Sequence, residues 1–109
     1  MKLLVSITFA SILLVSACAT TPKEASAHEY LCESGEAIVS SYPSTDAASV
    51  QYKGTDYAMQ IAVSGSGARY VGGGFEWWTK GSGTGSEGTL FRHNADGSTG
   101  DAVESCKGI

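Results

Sequence analysis

The sequence predicts an all-β fold, a small eight-stranded antiparallel β-barrel, and three observations support that prediction. From Tyr30 onward, short runs of alternating apolar and polar residues are separated by turn residues, which is typical of half-buried strands. No apolar run in this region keeps a helical period for three turns, and residues 46–48 would make one short turn at most. About eight strands in so short a chain favour a closed barrel, because closure leaves no exposed sheet edge.

The expected strands are bounded by turn signals and by changes in the apolar pattern. On the fourth of them, Tyr57, Met59, Ile61 and Val63 share one face at period two. The segment 53–56, Lys-Gly-Thr-Asp, is a hairpin turn signal between the third and fourth strands. The expected strands are Tyr30–Glu33, Ala37–Ser41, Ser49–Tyr52, Tyr57–Val63, Ala68–Val71, Phe75–Lys80, Thr89–Arg92 and Ala102–Cys106.

The N-terminal residues form a separate export signal. Met1-Lys2 is a basic start and Leu3–Val15 is an apolar run, shorter than the roughly 20 residues that span a membrane. The segment that follows, Val15-Ser-Ala-Cys18, resembles the lipobox of bacterial lipoproteins. That resemblance implies that residues 1–17 are a lipoprotein signal peptide, and that Cys18 is lipidated and becomes the first mature residue. An ordinary secretory signal with an incidental cysteine is the alternative.

The mature protein is then a tether followed by one domain. Residues 18–29 carry the lipidated cysteine and a flexible stretch without large apolar side chains, and residues 30–109 form the barrel. In Gram-negative lipoproteins an Asp directly after the lipidated cysteine favours retention in the inner membrane. Ala19 stands there instead, so we expect an outer-membrane lipoprotein that faces the periplasm.

The mature protein is acidic. The full sequence has a formal net charge of −4, and removing residues 1–17 takes away Lys2 and no acidic residue, which makes it −5. An acidic domain is a poor partner for nucleic acid or for an anionic membrane surface. A cationic partner is therefore expected.

Two cysteines, Cys32 and Cys106, remain once Cys18 is lipidated. In a small exported protein an even pair predicts a disulfide. This one would close a loop of about 75 residues and stabilise the fold by roughly 4 kcal/mol. The two cysteines and the two histidines, His28 and His93, have no metal-ligand spacing. We therefore expect a disulfide, and neither a metal ion nor a cofactor.

The stretch 64–81 is the candidate functional site. Among its glycines are a serine, an arginine and a lysine, beside both tryptophans of the chain. Loops of this composition add little packing stability and are usual in recognition surfaces. Because Trp77 and Trp78 are adjacent on a strand, one should point inward and the other outward. The outward ring could stack on a sugar or lie in a protein interface.

The sequence offers no arrangement that favours catalysis. The acidic residues are scattered over positions expected to be exposed, and no pair is singled out as the two carboxylates of a glycosidase. Ser66, His93 and Asp96 have the residue types of a catalytic triad, but in a serine-rich chain such a set arises by chance. The loop 81–88 resembles phosphate-binding loops but lacks their Gly-Lys-Ser/Thr ending and a following helix. We therefore expect that the protein is not an enzyme.

A family resemblance is carried by four features: Tyr30-Leu-Cys32, Ser66-Gly-Ala-Arg-Tyr70, Phe75-Glu-Trp-Trp-Thr-Lys-Gly81 and a final Cys106. Together they resemble the MliC/PliC family of bacterial periplasmic or membrane-bound inhibitors of c-type lysozyme. Its members are eight-stranded antiparallel barrels with the motifs Ser-Gly-x-x-Tyr and Tyr-x-x-x-Thr-Lys-Gly. This chain departs from the pattern in the phenylalanine that replaces the motif tyrosine, the triple glycine at 72–74 and the long 81–88 loop.

The resemblance implies c-type lysozyme as the partner and a role for each motif. Ser66 would donate a hydrogen bond to one catalytic carboxylate of the lysozyme, and Lys80 a charge-assisted hydrogen bond to the other. Tyr70, Trp78 and Thr79 are better placed to support these two residues than to touch the enzyme. The lysozyme-binding site that the resemblance implies, contacting and supporting residues together, consists of Ser66, Gly67, Arg69, Tyr70, Trp78, Thr79, Lys80 and Gly81.

Two alternatives of other classes stay open at this point. One is an envelope carbohydrate-binding lipoprotein module that holds peptidoglycan fragments with Trp77 or Trp78. The other is a purely structural envelope lipoprotein. An inhibitor slows the lysis of cell walls by lysozyme, whereas a carbohydrate-binding module binds sacculi without the enzyme.

Overall fold

The computed structural model describes residues 27–109, so the predicted signal peptide and Cys18 lie outside the described residues. Eight antiparallel strands pair in chain order and close into one barrel, which confirms the predicted fold class. Within residues 27–109 there is no helix long and apolar enough to span a membrane. The strands are β1 His28–Cys32, β2 Ala37–Ser44, β3 Ala47–Tyr52, β4 Thr55–Ala62, β5 Ala68–Gly72, β6 Phe75–Lys80, β7 Glu87–His93 and β8 Thr99–Gly108.

Several strands are longer than the sequence predicted. β1 begins at His28, two residues before the expected boundary of the domain, and β3 begins at Ala47, so residues 46–48 make no helical turn. β8 is the longest strand, with ten residues, and it closes the barrel by pairing with β7 along one edge and with β1 along the other. Its register with β7 shifts near Phe91, a bulge of the kind that bends a closing strand.

The core fills the barrel with the inward side chains of every strand. Trp77, Ile38, Met59 and Leu90 are its largest fully buried apolar members. The ring of Tyr30 meets Trp77 edge to face, with 5.0 Å between ring centroids. The core residues are Tyr30, Cys32, Ile38, Ala48, Val50, Tyr52, Met59, Tyr70, Trp77, Leu90 and Cys106.

The apolar face predicted on the fourth strand is only partly buried. Met59 lies in the core, but Ile61 is 47% exposed and Val63 is 91% exposed. Ile61 pairs with Tyr70 close to where β4 ends, and Val63 lies beyond that end in a loop. The period-two pattern therefore extends past the last residue that the barrel covers.

A disulfide joins Cys32 to Cys106, as predicted. The two residues are direct partners in the β1–β8 ladder, with 3.8 Å between their Cα atoms. The bond therefore ties the first strand to the last, at the seam where the barrel closes.

Antiparallel pairing sorts the connections onto two ends of the barrel. The end that we call the loop end carries residues 45–46, 63–67 and 81–86, together with the start of β1 and the end of β8. The opposite end, the turn end, carries the turns at 33–36, 53–54, 73–74 and 94–98. In the predicted hairpin turn, Lys53 and Gly54 both have positive φ, 49° and 79°, which matches the twist of the flanking strands.

Candidate functional site

Ser66 and Lys80 come together at the loop end. Ser66 lies in the β4–β5 loop, Lys80 is the last residue of β6, and both are exposed. Gly67, with φ of 69°, rests on the backbone of Thr79. A Cβ at this glycine would collide with the Thr79 carbonyl oxygen and would lie 3.0 Å from Cγ of Lys80. The close approach therefore requires glycine, and it places Ser66 next to Lys80.

Hydrogen bonds fix the backbone around Ser66. The indole Nε1 of Trp78 donates to the Ser66 carbonyl oxygen at 2.9 Å. One turn earlier, the Ser64 hydroxyl donates to the Gly67 carbonyl oxygen at 3.0 Å, a local closure typical of serine in turns. The loop is thus anchored to β6 from outside the barrel and closed upon itself.

The two tryptophans point in opposite directions, as the alternation predicted. Trp77 is fully buried in the core, and Trp78 is half-buried on the outer face. Trp78 meets Phe91 edge to face at 5.9 Å between ring centroids, and the Arg69 guanidinium lies 5.8 Å from its ring centroid. Beside Trp78 runs a groove of about 230 Å³ that is lined by Trp78, Lys80, Glu87, Thr89 and Phe91.

Tyr70 and Thr79 face the barrel interior beneath the site, and each is 7% exposed. The Tyr70 ring packs on that of Tyr42, with 5.3 Å between centroids. Both rings line a cavity of about 160 Å³ at the loop end of the barrel. Gly81, with φ of 80°, directly follows Lys80 and turns the chain into the 81–86 loop. Thr79 and Gly81 therefore set the backbone on either side of Lys80, while Tyr70 packs in the core beneath it.

Arg69 contacts the protein itself with two of its guanidinium nitrogens. Its Nε donates to Oε1 of Glu76 at 2.7 Å, and its Nη1 donates to the Val63 carbonyl oxygen at 3.1 Å. Val63 begins the loop that carries Ser66. The structure therefore places Arg69 between a buried carboxylate and the base of this loop.

The carboxylate of Glu76 is fully buried although it lies on the outer face of β6. It accepts the bond from Arg69 and another from the Thr99 hydroxyl at 2.8 Å, and its Oε2 lies 2.7 Å from Nδ1 of His93. Burial raises the pKa of Glu76, but the hydrogen bonds from Arg69, His93 and Thr99 outweigh it and lower the pKa to about 2. Glu76 is therefore ionised at neutral pH.

The prediction that the acidic residues are exposed is wrong for Glu76 and Glu104. Inside the barrel, Glu104 accepts hydrogen bonds from the Tyr52 hydroxyl at 2.6 Å and the Ser34 hydroxyl at 2.9 Å. Burial and the bond to Glu104 raise the pKa of Tyr52 to about 12. Both carboxylates are buried because donors from distant parts of the chain satisfy them, a long-range pairing that composition does not reveal.

Ser66, His93 and Asp96, which have the residue types of a catalytic triad, do not lie together in the structure. Ser66 lies at the loop end, Asp96 lies in the 94–98 turn at the turn end, and His93 is engaged with Glu76. Among residues 27–109, no group of three or more His, Cys, Asp or Glu side chains could hold a metal ion.

Comparison with known protein families shows which family the chain belongs to. The sequence model of the family MliC, described as membrane-bound lysozyme-inhibitor of c-type lysozyme, matches residues 30–99. The chain belongs to the MliC family. MliC proteins are inhibitors and not enzymes, in agreement with the expectation from sequence. The matched range includes Ser66 and Lys80 and ends before Cys106.

A curated relative supports the same assignment. It is the "Membrane-bound lysozyme inhibitor of C-type lysozyme" of Cupriavidus necator, 42% identical over 64 residues, which are 56% of this chain and 48% of the relative. This chain therefore matches about half the length of that MliC protein. No solved structure matches the chain.

Proposed function

We propose that this protein inhibits c-type lysozyme by placing Ser66 and Lys80 in the active-site cleft of the enzyme. Lysozyme works with two carboxyl groups on either side of the scissile bond, one ionised and one kept as an acid. The Ser66 hydroxyl donates a hydrogen bond to one of them, and the Lys80 ammonium donates a charge-assisted hydrogen bond to the other. Both catalytic groups are then occupied and the sugar chain is kept out.

The observation that carries this proposal is the position of Ser66 beside Lys80, both exposed, at one end of the barrel. Gly67 against Thr79 and the bond from Trp78 set that position before any partner arrives. A surface that is already ordered loses less conformational freedom on binding, which favours affinity. Membership of the MliC family supports the choice of partner.

The experiment that tests the proposal is a lysis assay. The purified protein is titrated into c-type lysozyme acting on cell walls, and the mixture is also examined by size-exclusion chromatography. We expect slower lysis and elution of the two proteins as one complex. Full lysis at a large excess of the protein would contradict the proposal.

The carbohydrate-binding alternative depends on a free indole face at Trp78. That ring is half-buried, lies beside Arg69 and Phe91, and uses its Nε1 to hold Ser66, which leaves less of it for stacking on a sugar. Binding of the protein to isolated sacculi without lysozyme would favour this alternative. No response in either assay would favour a structural lipoprotein.

We also propose that Cys18 is lipidated and anchors the protein to the outer membrane, facing the periplasm. The support is the Val15-Ser-Ala-Cys18 segment and the term "membrane-bound" in the name of the relative from Cupriavidus necator. Residues 1–17 would be the signal peptide and residues 18–29 the tether up to the barrel. Replacing Cys18 by Ala should move the protein from the membrane fraction to the soluble fraction and remove the mass of the lipid. Unchanged fractionation and mass would contradict the anchor.

A further inference from the structure

We infer that Glu76, acting through Arg69, positions the β4–β5 loop for lysozyme binding. Glu76 is then a positioning residue, because its carboxylate is fully buried and does not itself contact a partner. The inference rests on the proposed function, since lysozyme is the partner whose binding the loop serves. Its first step, the restraint of the loop, can be measured without lysozyme.

The link runs through a single guanidinium. Arg69 Nε is bonded to Glu76 and Arg69 Nη1 to the Val63 carbonyl oxygen. The planar guanidinium presents its donors in a fixed geometry, so fixing one side also directs the other. The position of the Glu76 carboxylate therefore determines where Arg69 can hold the first residue of the loop.

The Glu76 carboxylate is itself firmly held. Its partners Arg69, His93 and Thr99 come from β5, β7 and β8, while Glu76 lies on β6. A carboxylate accepts several hydrogen bonds at once, and a fully satisfied buried network is rigid. Four strands of the barrel thus fix the group on which the loop depends.

The loop has little else to hold it. The Val63 side chain is 91% exposed and adds almost no packing. The polar bonds in place there are Arg69 to the Val63 carbonyl, Trp78 to the Ser66 carbonyl and Ser64 to the Gly67 carbonyl. With few buried apolar contacts, the local stability of such a loop depends on its hydrogen bonds. The bond at Val63 is the one that Glu76 controls.

Two substitutions weaken the link in different ways. Glu76→Gln removes the negative charge of the acceptor, which weakens the bond from Arg69, and it places an NH₂ donor at one of the two positions where the carboxylate accepted. Arg69→Lys keeps the positive charge near Glu76, but a single ammonium lacks the fork that reaches both Glu76 and Val63. Glu104→Gln is the matched control, because Glu104 is also a buried, doubly hydrogen-bonded carboxylate but has no contact with the loop.

The first measurement is the backbone ¹⁵N order parameter of residues 63–67 in the free protein, at a temperature where each variant is folded. We expect the wild-type loop to lie near the rigid value of about 0.85, and Glu76→Gln and Arg69→Lys to lower it toward the flexible value of about 0.6. Glu104→Gln should lower the melting temperature without lowering the order parameters at 63–67. Equal order parameters in all three variants and wild type would overturn the inference, whatever the lysozyme assay gives. If Glu76→Gln fails to fold, Arg69→Lys decides.

The second measurement is lysozyme affinity, combined in a double-mutant cycle with Ser66→Ala. We expect Glu76→Gln to weaken binding about tenfold in the wild-type background and clearly less in the Ser66→Ala background. Identical losses in both backgrounds, or a loss equal to that of Glu104→Gln, would overturn the positioning role. A wild-type protein that does not bind lysozyme would instead refute the proposed function.

Discussion

The indole Nε1 of Trp78 donates a hydrogen bond of 2.9 Å to the backbone carbonyl of Ser66. This bond joins the strand that ends in Lys80 to the loop that carries Ser66, so the two family motifs form one physical unit. Removing the donor should disturb Ser66 without touching its hydroxyl.

Replacing Trp78 by Phe tests this bond. The smaller ring keeps an aromatic side chain beside Phe91 but has no N–H to donate. We expect the free energy of unfolding to fall by about 1 kcal/mol and lysozyme inhibition to weaken by roughly three- to tenfold. Denaturant unfolding and lysis assays measure the two effects. Thr89→Val is the control on the facing strand, and inhibition by Trp78→Phe at the wild-type level would contradict the prediction.

Lys80 and Ser66 should be the most sensitive positions for inhibition. Truncating Lys80 to Ala removes a charge-assisted bond in a partly dehydrated cleft, a loss of roughly 2–5 kcal/mol in binding. Ser66→Ala removes a neutral donor to a charged acceptor, a loss of roughly 1.5–3 kcal/mol. Thermal melts should not change, because both side chains are exposed.

Lys107→Ala is the matched control for Lys80→Ala. Lys107 is also an exposed lysine, and Glu87 lies between the two, paired with Lys80 on β6 and with Lys107 on β8. It should inhibit like the wild type. Full inhibition by the Lys80→Ala, Ser66→Ala double variant would refute the plugging mechanism.

The disulfide should contribute measurably to stability. Replacing Cys32 and Cys106 together by Ala opens the covalent closure of the β1–β8 seam and should lower the free energy of unfolding by about 2–5 kcal/mol. Urea unfolding measures the loss. Labelling of free thiols in the denatured, unreduced protein should find neither cysteine, and labelling of both would contradict the bond.

Low pH should remove the contribution of the Glu76 carboxylate to the stability of the fold. Its pKa lies at about 2 in the folded protein, below the ordinary value of 4.5. A lowered pKa means that the ionised form favours folding, so this stabilisation is complete above the ordinary value and is lost as the pH falls toward 2. The difference in melting temperature between wild type and Glu76→Gln should therefore shrink between pH 5 and pH 2. A constant difference would show that the carboxylate does not carry this stability.

Salt should slow the association with lysozyme. The net charge of −5 expected for the mature protein attracts a cationic enzyme, and such attraction is screened with a Debye length of about 8 Å at physiological salt. Stopped-flow or surface-binding measurements should show the on-rate falling with ionic strength and the off-rate changing less. An on-rate independent of salt would mean that the acidic surface does not steer the encounter.

Local patterns were enough to predict the barrel. Period-two alternation located all eight strands, and the Lys53-Gly54 turn followed from its composition. The pattern failed at Ile61 and Val63, because alternation shows which residues share a face but not where the neighbouring strand stops covering it. The pairing of Cys32 with Cys106 was predictable because the proposed lipidation of Cys18 leaves no other cysteine for either.

The surroundings of the site were harder to predict. Glu76 is bonded to residues from three other strands, and only the register of the closed barrel brings these together. One signal was present in the sequence. A two-residue turn at 73–74 pairs Arg69 with Trp78 and Val71 with Glu76, which sets Arg69 diagonally across from Glu76 on the outer face. The other two partners carry no comparable local signal.

β1 begins at the loop end, alongside the loops that carry Ser66 and Lys80. A chain anchored through Cys18 would therefore run to the bilayer from the same end at which we propose that lysozyme binds. An extended chain covers at most about 3.5 Å per residue, so residues 18–27 allow a distance of at most about 35 Å between the bilayer and β1. In the proposed binding mode, lysozyme must fit within that distance, or the barrel must tilt relative to the membrane. The length of the segment 18–27 would then limit the size of the enzyme that the anchored protein can bind. Shortening this segment should abolish inhibition by the anchored protein, while the released form still inhibits.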